Sequence, residues 1–308
     1  MQIPFPRPIS IIGDVHGQLK KLVKLLQDAQ LVDAELSWKA GTATLWFMGD
    51  FVDRGPDSIA VLDLVMRLQT EAAAAGGSVA SLLGNHEMML LAAYRFGRRS
   101  TGLGSNFLTR WKQNGGKRKD IASLTPRHLE WMAHLPAMAL VNDYLLVHAD
   151  TPFYIECGRS VDEVNAAFNK LLSRSDALAW EEMLEAFARR GVFMNTTNSE
   201  EFARHFLSIF GGRQLIHGHT PISSMLRCSP EKVDSPWIYA GGQCVNVDGG
   251  MFLGGPGFVY QFHAPGGSNT PTQTLYNLHT HMFAFPSKLS KMFHLFSVIT
   301  RLEHKRCA

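Results

Sequence analysis

The chain has 308 residues, of which 45% are hydrophobic and 19% are charged. This balance is typical of a folded globular protein and excludes a disordered chain, which would combine low hydrophobicity with high net charge. No uninterrupted apolar run approaches the roughly 18 residues that a membrane-spanning helix needs. The net charge of +3 is too small to indicate nucleic acid binding. We therefore expect neither stable membrane insertion nor a nucleic acid partner.

Short apolar runs alternate with stretches of helical spacing through the first third of the chain. Each of the runs 9–12, 44–48 and 79–83 predicts a buried strand that ends in a short polar turn. The stretches of helical periodicity that follow these turns are 19–26, 58–68 and 88–94. Strands that alternate with helices indicate an α/β fold with its main strands inside.

The rest of the chain continues this pattern less regularly. Residues 96–140 are richer in basic residues and Trp and predict a helical insert. Further strands are predicted at 144–147, 215–216, 245–247 and 258–262. Residues 264–274 have the composition of a linker, and 288–306 predict a basic amphipathic helix. We therefore expect one folded domain over residues 1–262 and a linker with a C-terminal tail over residues 263–308.

The cysteines and the N-terminal segment bear on the cellular compartment. Cys157, Cys228, Cys244 and Cys307 include no closely spaced pair, which argues against a disulfide framework and against a zinc ribbon. The first eight residues contain three prolines and no apolar stretch typical of a signal peptide. These features predict reduced thiols and a cytoplasmic location.

Polar side chains that could bind a metal recur directly after the predicted strands. They are Asp14 and His16, then Asp50, Asp53 and Arg54, then Asn85 and His86, then His148, and finally His217 and His219. A single such residue is usually a turn or capping residue, but α/β folds place their functional sites at the carboxyl ends of strands. Recurrence at five strand ends therefore predicts a metal site. Carboxylate, imidazole and amide ligands suit Mn²⁺, Fe²⁺ or Zn²⁺.

Five short motifs carry a resemblance to a known family. They are Gly13-Asp14-Val15-His16-Gly17, Gly49-Asp50-Phe51-Val52-Asp53-Arg54-Gly55, Gly84-Asn85-His86-Glu87, His148-Ala149-Asp150 and Gly218-His219-Thr220. In this order they resemble the motifs of the metallophosphoesterase superfamily, and specifically those of its phosphoprotein phosphatase branch. The fourth motif is similar to that of bacterial and phage members. The resemblance covers roughly residues 9–262 and implies a β-sandwich flanked by helices, with a dinuclear metal site at the strand ends.

The resemblance also implies the metal ligands and the mode of hydrolysis. The first metal would be held by Asp14, His16 and Asp50, and the second by Asp50, Asn85, His148 and His219. Asp50 would thus bridge two divalent ions, with Mn²⁺ the first choice and Fe²⁺ or Zn²⁺ the alternatives. Two metals about 4 Å apart lower the pKa of a bridging water, and the hydroxide attacks phosphorus directly.

The family pattern assigns further roles beside the metals. His86 would be the general acid that protonates the leaving oxygen, with Asp53 orienting it. Arg54 would bind phosphate oxygens through its forked donors. Arg174 is the best match to a further phosphate-binding arginine, although Leu172 stands where the family has tryptophan.

The implied substrates are proteins phosphorylated on serine or threonine, with phosphotyrosine and small phosphomonoesters as further classes. The alternative is a symmetrical dinucleoside polyphosphate hydrolase acting on diadenosine tetraphosphate, which this chain also resembles. Those hydrolases commonly lack the aspartate found here as Asp53, have aspartate in place of Glu87 and depart from His219-Thr220. All three positions favour the phosphatase.

The sequence also admits two non-enzymatic interpretations. A catalytically silent binding module on the same fold would have lost a metal ligand or the general acid, and this sequence retains all of them. The basic amphipathic tail would either lie on an anionic membrane surface or pack back on the folded domain, and we favour the second.

Overall fold

The computed structural model of the protein describes residues 8–100, 105–194 and 198–262. The predicted linker and tail over residues 263–308 lie outside the described residues. The strands β1 to β9 are Ile9–Ile12, Thr44–Phe47, Ser78–Ser81, Met138–Val141, Tyr144–Val147, Gln214–His217, Trp237–Tyr239, Cys244–Asn246 and Val259–Phe262. The helices α1 to α11 are Leu19–Asp28, Ser58–Ala74, Asn85–Phe96, Phe107–Gln113, Arg118–Ser123, Pro126–Ala133, Tyr154–Cys157, Val161–Ser173, Ala177–Phe187, Ser199–Phe210 and Ile222–Leu226. Short 3₁₀ helices cover Pro230–Lys232 and Met251–Leu253.

The strands form two sheets. The first has the order β3-β2-β1-β9, in which β1, β2 and β3 are parallel and β9 is antiparallel to β1. The second has the order β4-β5-β6-β8-β7, with β5, β6 and β8 parallel and an antiparallel strand at each edge. Both sheets therefore have a parallel centre, which requires helical crossovers on their outer faces.

Alternating side chains of the central strands pack on opposite faces, which explains why these strands are apolar throughout. Ile11 of β1 and Leu146 of β5 belong to the apolar layer between the sheets, whereas their neighbours Ile12 and Val147 pack in the layer under the helices. This is the period of two expected of a strand buried on both faces. The predicted α/β sandwich flanked by helices is confirmed.

The sequence-based boundaries differ from the structure mainly at the sheet edges. The insert predicted as helical over 96–140 contains α4, α5 and α6 but ends in β4, an antiparallel edge strand beside β5. The opposite edge strand β7 was not predicted either. β7 has only three residues, and the apolar run of β4 does not by itself distinguish a strand from a buried helix segment. Among the described residues, no helix combines the length and the apolar character needed to cross a bilayer.

Candidate metal centre

Side chains from the ends of five strands meet in one buried cluster. The six predicted metal ligands, all of them at most 3% exposed, are Asp14, His16, Asp50, Asn85, His148 and His219. They follow β1, β2, β3, β5 and β6, whose parallel direction brings their carboxyl ends to the same edge of the sandwich. The structure therefore brings together all six residues that the sequence singled out.

Asp50 lies between two groups of possible metal ligands. Its Oδ2 is 3.6 Å from Nε2 of His16, and its Oδ1 is 3.4 Å from Nε2 of His148. One potential ligand group contains Asp50, His16 and His86, and the other contains Asp50, His148 and His219, with ligand atoms within 4.8 Å of one another in each group. A carboxylate whose two oxygens face different histidine groups can bridge two cations.

Main-chain carbonyls orient the histidine rings of the cluster. His16 Nδ1 donates to the carbonyl of Val52 at 2.9 Å, and His148 Nδ1 donates to the carbonyl of Met48 at 2.8 Å. These bonds place the remaining lone pair of each ring on Nε2, which faces the cluster. Outer hydrogen bonds of this kind are the usual means of fixing a metal-binding histidine.

Three electron-pair donors meet at the second group, where only a proton on His148 Nε2 could separate them. His219 Nε2 donates to the carbonyl of Ala188 at 3.3 Å, so its Nδ1 carries a lone pair. That Nδ1 is 2.9 Å from Oδ1 of Asn85, which is also 3.0 Å from His148 Nε2. Adjacent lone pairs repel one another unless a cation lies between them. The residues present therefore fit a divalent metal ion.

The electrostatics of the cluster also favour a cation. Burial raises the pKa of Asp14, and the negative charges of Asp248 and Asp50 raise it further. Burial disfavours the charged form of His148, but the charge and hydrogen bond of Asp50, the charge of Asp14 and the Met48 carbonyl together outweigh burial, and the pKa of His148 rises to about 9. Groups that shift their pKa in this way bind a proton where a metal ion could bind instead.

Five residues of the cluster region have a left-handed backbone. Their φ angles are 46° at His16, 53° at Asp50, 68° at Asp53, 62° at Arg54 and 69° at His219. A non-glycine residue in this conformation is strained by the order of 1 kcal/mol or more, and such strain concentrates at functional sites. The strand-end turns are thus shaped to direct these side chains inward rather than to minimise local energy.

Glu87 holds the turn that carries Asp50. Its Oε2 accepts the N–H groups of Asp50 at 2.8 Å and of Gly84 at 3.0 Å, and its Oε1 accepts those of Phe51 at 2.8 Å and of Val52 at 3.3 Å. Burial and the charge of Asp50 raise the pKa of Glu87 to about 7. The glutamate of the third motif thus positions the second motif.

His86 and Asp53 form a buried pair at the margin of the cluster. His86 Nδ1 donates to Asp53 Oδ2 at 2.7 Å, and Trp111 Nε1 donates to the other carboxylate oxygen at 2.7 Å. The Trp111 ring packs so closely on Gly116 that a Cβ there would lie 2.1 Å from it. Burial lowers the pKa of His86 well below its ordinary value. Trp111 therefore fixes Asp53, and Asp53 fixes His86.

Arg54 spans the two histidines nearest to it. Its Nη1 donates to His16 Nε2 at 2.7 Å and its Nη2 donates to His86 Nε2 at 2.8 Å. Phe252 covers one face of the guanidinium, whose Cζ is 4.1 Å from the ring centroid. A forked cation held in this way can bind two oxygens of an anionic ligand in the cluster.

Arg174 is not brought to the cluster. It follows α8 as an exposed residue, and its carbonyl accepts hydrogen bonds from Arg95 and Trp180. Among the described residues, no hydrogen bond or ion pair joins its guanidinium to the cluster. The chain returns to the centre only at the end of α9, where Phe187 packs edge-on against His148.

Arg190, which the sequence interpretation missed, lies just beyond that end of α9. Burial lowers the pKa of His219, and the positive charges of His148 and Arg190 lower it further. The next residue, Gly191, donates its N–H to Asp150 Oδ1 at 2.8 Å, which holds this turn beside the fourth motif. Only contacts between distant segments place Arg190 here, so no local sequence signal distinguishes it from the other arginines.

His217 has a structural position beside the cluster. Its Nε2 lies 2.8 Å from the hydroxyl of Tyr239, and its Nδ1 lies 2.9 Å from the carbonyl of Gly218. Both ring nitrogens are therefore engaged away from the metal ligands, whereas Nδ1 of His219 faces Asn85.

The comparisons with known proteins agree with this geometry. A model of the calcineurin-like phosphoesterase family matches residues 7–223, so the chain belongs to the calcineurin-like phosphoesterase family. It is 32% identical over 168 residues to a symmetrical bis(5'-nucleosyl)-tetraphosphatase of Pectobacterium atrosepticum, over 50% of this chain and 49% of that protein. It is 35% identical over 91 residues to Shewanella-like protein phosphatase 2 of Arabidopsis thaliana, over 29% and 23% of the two chains.

A solved structure shows the same fold over a longer span. The cold-active protein-tyrosine phosphatase of a psychrophilic Shewanella species superposes with a TM-score of 0.64 at 20% identity, over 84% of this chain and 76% of that one. The chain thus spans about half the length of its matched tetraphosphatase relative and about three quarters of this structural neighbour.

Replacement of Glu87 by glutamine should destabilise the protein by about 2–4 kcal/mol, because an amide nitrogen would face two main-chain N–H groups that lose their acceptor. Urea unfolding of the metal-free protein would measure the loss. The control is Glu71→Gln, since Glu71 accepts a single main-chain N–H, that of Trp38, away from the cluster. Equal stability of the two variants would contradict the role of Glu87.

Arg190 and Arg174 form a matched pair of exposed arginines, one beside the cluster and one remote from it. Arg190→Ala should raise KM for a phosphate ester about tenfold, which corresponds to one lost charge-assisted hydrogen bond. Arg174→Ala should change KM less than about twofold. Steady-state kinetics with para-nitrophenyl phosphate would show the difference, and the opposite order would restore the sequence-based assignment of Arg174.

Proposed function

We propose that the protein is a metal-dependent phosphomonoesterase that hydrolyses the phosphate esters of serine and threonine side chains in proteins, with phosphotyrosine as a further substrate. The proposal is supported by the family membership, by the convergent cluster and, above all, by the buried pair of His86 and Asp53. Two divalent cations are the proposed cofactors. Mn²⁺ is the expected metal, with Fe²⁺ and Zn²⁺ as alternatives, because the donor set contains no thiolate.

The proposed ligand sets modify the two groups described above, because Asp14 takes the place of His86 in the first and Asn85 is added to the second. Asp14, His16 and Asp50 would hold one cation, and Asp50, Asn85, His148 and His219 would hold the other. When bound, such a pair of cations supplies an activated water nucleophile and neutralises phosphate charge. The remaining residues bind the phosphate and move a proton.

The pair of His86 and Asp53 supports hydrolysis of an ester with a basic leaving group. Asp53 keeps the proton of His86 on Nδ1, so that Nε2 faces the cluster. The Arg54 guanidinium now donates to that Nε2. When the guanidinium turns to the oxygens of a phosphate, Nε2 becomes free to bind a proton from solvent and to pass it to the leaving oxygen. A serine or threonine alkoxide requires this proton before it can leave.

Two arginines are suited to bind the substrate phosphate. Arg54 presents two donors toward the cluster, and Arg190 adds a second positive charge on the side of His219. A phosphomonoester dianion has enough terminal oxygens for both arginines and for the metals. A diester has fewer charged oxygens and would gain less from them.

A symmetrical dinucleoside tetraphosphatase is the second candidate, because several relatives of that name match half of the chain or more. Hydrolysis of diadenosine tetraphosphate releases ADP, a weakly basic leaving group that depends little on a general acid. A buried histidine–aspartate pair, fixed further by Trp111, would serve little purpose in that reaction. The pair therefore favours the phosphatase.

Substitution of His86 by asparagine should lower kcat for phenyl phosphate by roughly 10²–10⁴-fold, the range expected when a general acid is lost. The loss should be much smaller for para-nitrophenyl phosphate, whose leaving group needs no proton. His128→Asn is the matched control, because His128 pairs with Asp63 at 2.8 Å far from the cluster. That control should leave both rates within about twofold of wild type, and an equal loss on both substrates in His86→Asn would exclude the acid role.

The substrate class can be tested by assaying phosphoserine, phosphothreonine and phosphotyrosine peptides beside diadenosine tetraphosphate and bis-para-nitrophenyl phosphate with added Mn²⁺. We expect the monoesters to be cleaved with the highest kcat/KM. Arg54→Lys should erode this preference, because a lysine keeps the charge but loses the fork that binds two oxygens. Faster cleavage of diadenosine tetraphosphate or of the diester by wild-type protein would overturn the phosphatase proposal.

A further inference from the structure

A further buried carboxylate lies beside the cluster and has no role in the mechanism above. Asp248 follows β8 by two residues and is 0% exposed. The chain around it packs directly on the turn of the first motif, since a Cβ on Gly13 would lie 2.1 Å from the carbonyl oxygen of Val247 and 3.1 Å from the Cα of Asp248. Asp248 therefore lies against the segment that carries Asp14.

The two oxygens of Asp248 differ in their surroundings. Oδ1 accepts the main-chain N–H of Gly250 at 2.9 Å, which orients the carboxylate. Oδ2 is buried and has no hydrogen-bond partner among the described residues. A buried carboxylate oxygen is costly without a donor or a cation, so an unpartnered Oδ2 indicates that something absent from the protein chain interacts with it.

The charge of Asp248 acts on the proposed metal ligands. After burial, Asp248 is the strongest influence that raises the pKa of Asp14. In turn, burial and the charge of Asp50 raise the pKa of Asp248 to about 6, although the Gly250 N–H opposes this rise. A positive charge near Asp14 and Asp248 would relieve the repulsion that raises their pKa values.

We propose that Asp248 is a positioning residue of the metal centre. The negative charge on its free Oδ2 would stabilise the cation that Asp14, His16 and Asp50 would hold. The inference rests on the two-cation centre of the proposed function. Among the proposed ligands only Asp14 and Asp50 are anionic, so two divalent cations would leave a formal excess of two positive charges. Asp248 halves that excess in a region from which water is excluded.

The competing explanation is that Asp248 serves the fold alone by accepting the Gly250 N–H. The two explanations make different predictions for Asp248→Asn. An asparagine keeps an Oδ1 that can accept from Gly250 and removes only the negative charge. A purely structural residue would then change stability without changing metal binding. A residue of the metal centre would change metal binding, and its loss would relieve repulsion in the metal-free protein.

The experiment is titration of the full-length, metal-free protein with Mn²⁺ by isothermal calorimetry, together with thermal unfolding with and without Mn²⁺. We expect Asp248→Asn to weaken one of the two sites by about 10- to 100-fold, as is usual when an outer partner of a metal site is lost. The metal-free variant should unfold at or above the wild-type temperature, and Mn²⁺ should raise its unfolding temperature less than it raises that of wild type.

Asp234→Asn is the control, because it removes the same charge from an exposed residue outside the cluster. Asp248→Ser is a second variant that removes the carboxylate with a smaller side chain, should the asparagine variant not fold. Mn²⁺ affinities within twofold of wild type at both sites would overturn the inference. Failure of wild-type protein to bind two Mn²⁺ would instead overturn the proposed function on which it rests.

Discussion

The structure depends on the burial of Asp50 between two groups of histidines. A carboxylate and several imidazole lone pairs converge there in a region with almost no exposure to solvent, at the ends of strands from both sheets. Such an arrangement is unfavourable in a protein chain by itself, because too few hydrogen-bond donors face the carboxylate and the imidazole lone pairs. Divalent cations would resolve this conflict. Much of the surrounding structure consists of groups that hold Asp50 and the histidines in this arrangement when no cation is bound.

These supporting groups act in successive layers. Main-chain carbonyls of Val52 and Met48 orient the rings of His16 and His148, and the carboxylate of Glu87 holds the turn of Asp50 through four main-chain N–H groups. The left-handed backbone of the turns adds strain that only the packed sandwich can maintain. The rigid parallel centres of both sheets thus position a centre that local sequence preferences would not produce.

The sequence was sufficient to predict those site residues that lie in a turn directly after a strand. The six proposed ligands, His86, Asp53 and Arg54 all lie in such turns, and parallel strands bring their ends to one edge. Trp111, Arg190 and Asp248 could not be assigned in this way, because each reaches the centre through packing between segments distant in sequence. Arg174 resembled the family pattern locally, but in the described residues no hydrogen bond or ion pair joins its guanidinium to the cluster. The edge strand β7 was missed because it has only three residues, and β4 because a short apolar run does not by itself distinguish a strand from a helix.

The central claim is that Asp50 bridges two divalent cations, and a crystal structure of the protein grown with Mn²⁺ tests it most directly. Anomalous scattering at the manganese absorption edge should show two peaks about 4 Å apart, with Oδ1 of Asp50 toward the His148 side and Oδ2 toward the His16 side. A single peak, or two peaks of which one lies beyond the reach of the Asp50 carboxylate, would contradict the account.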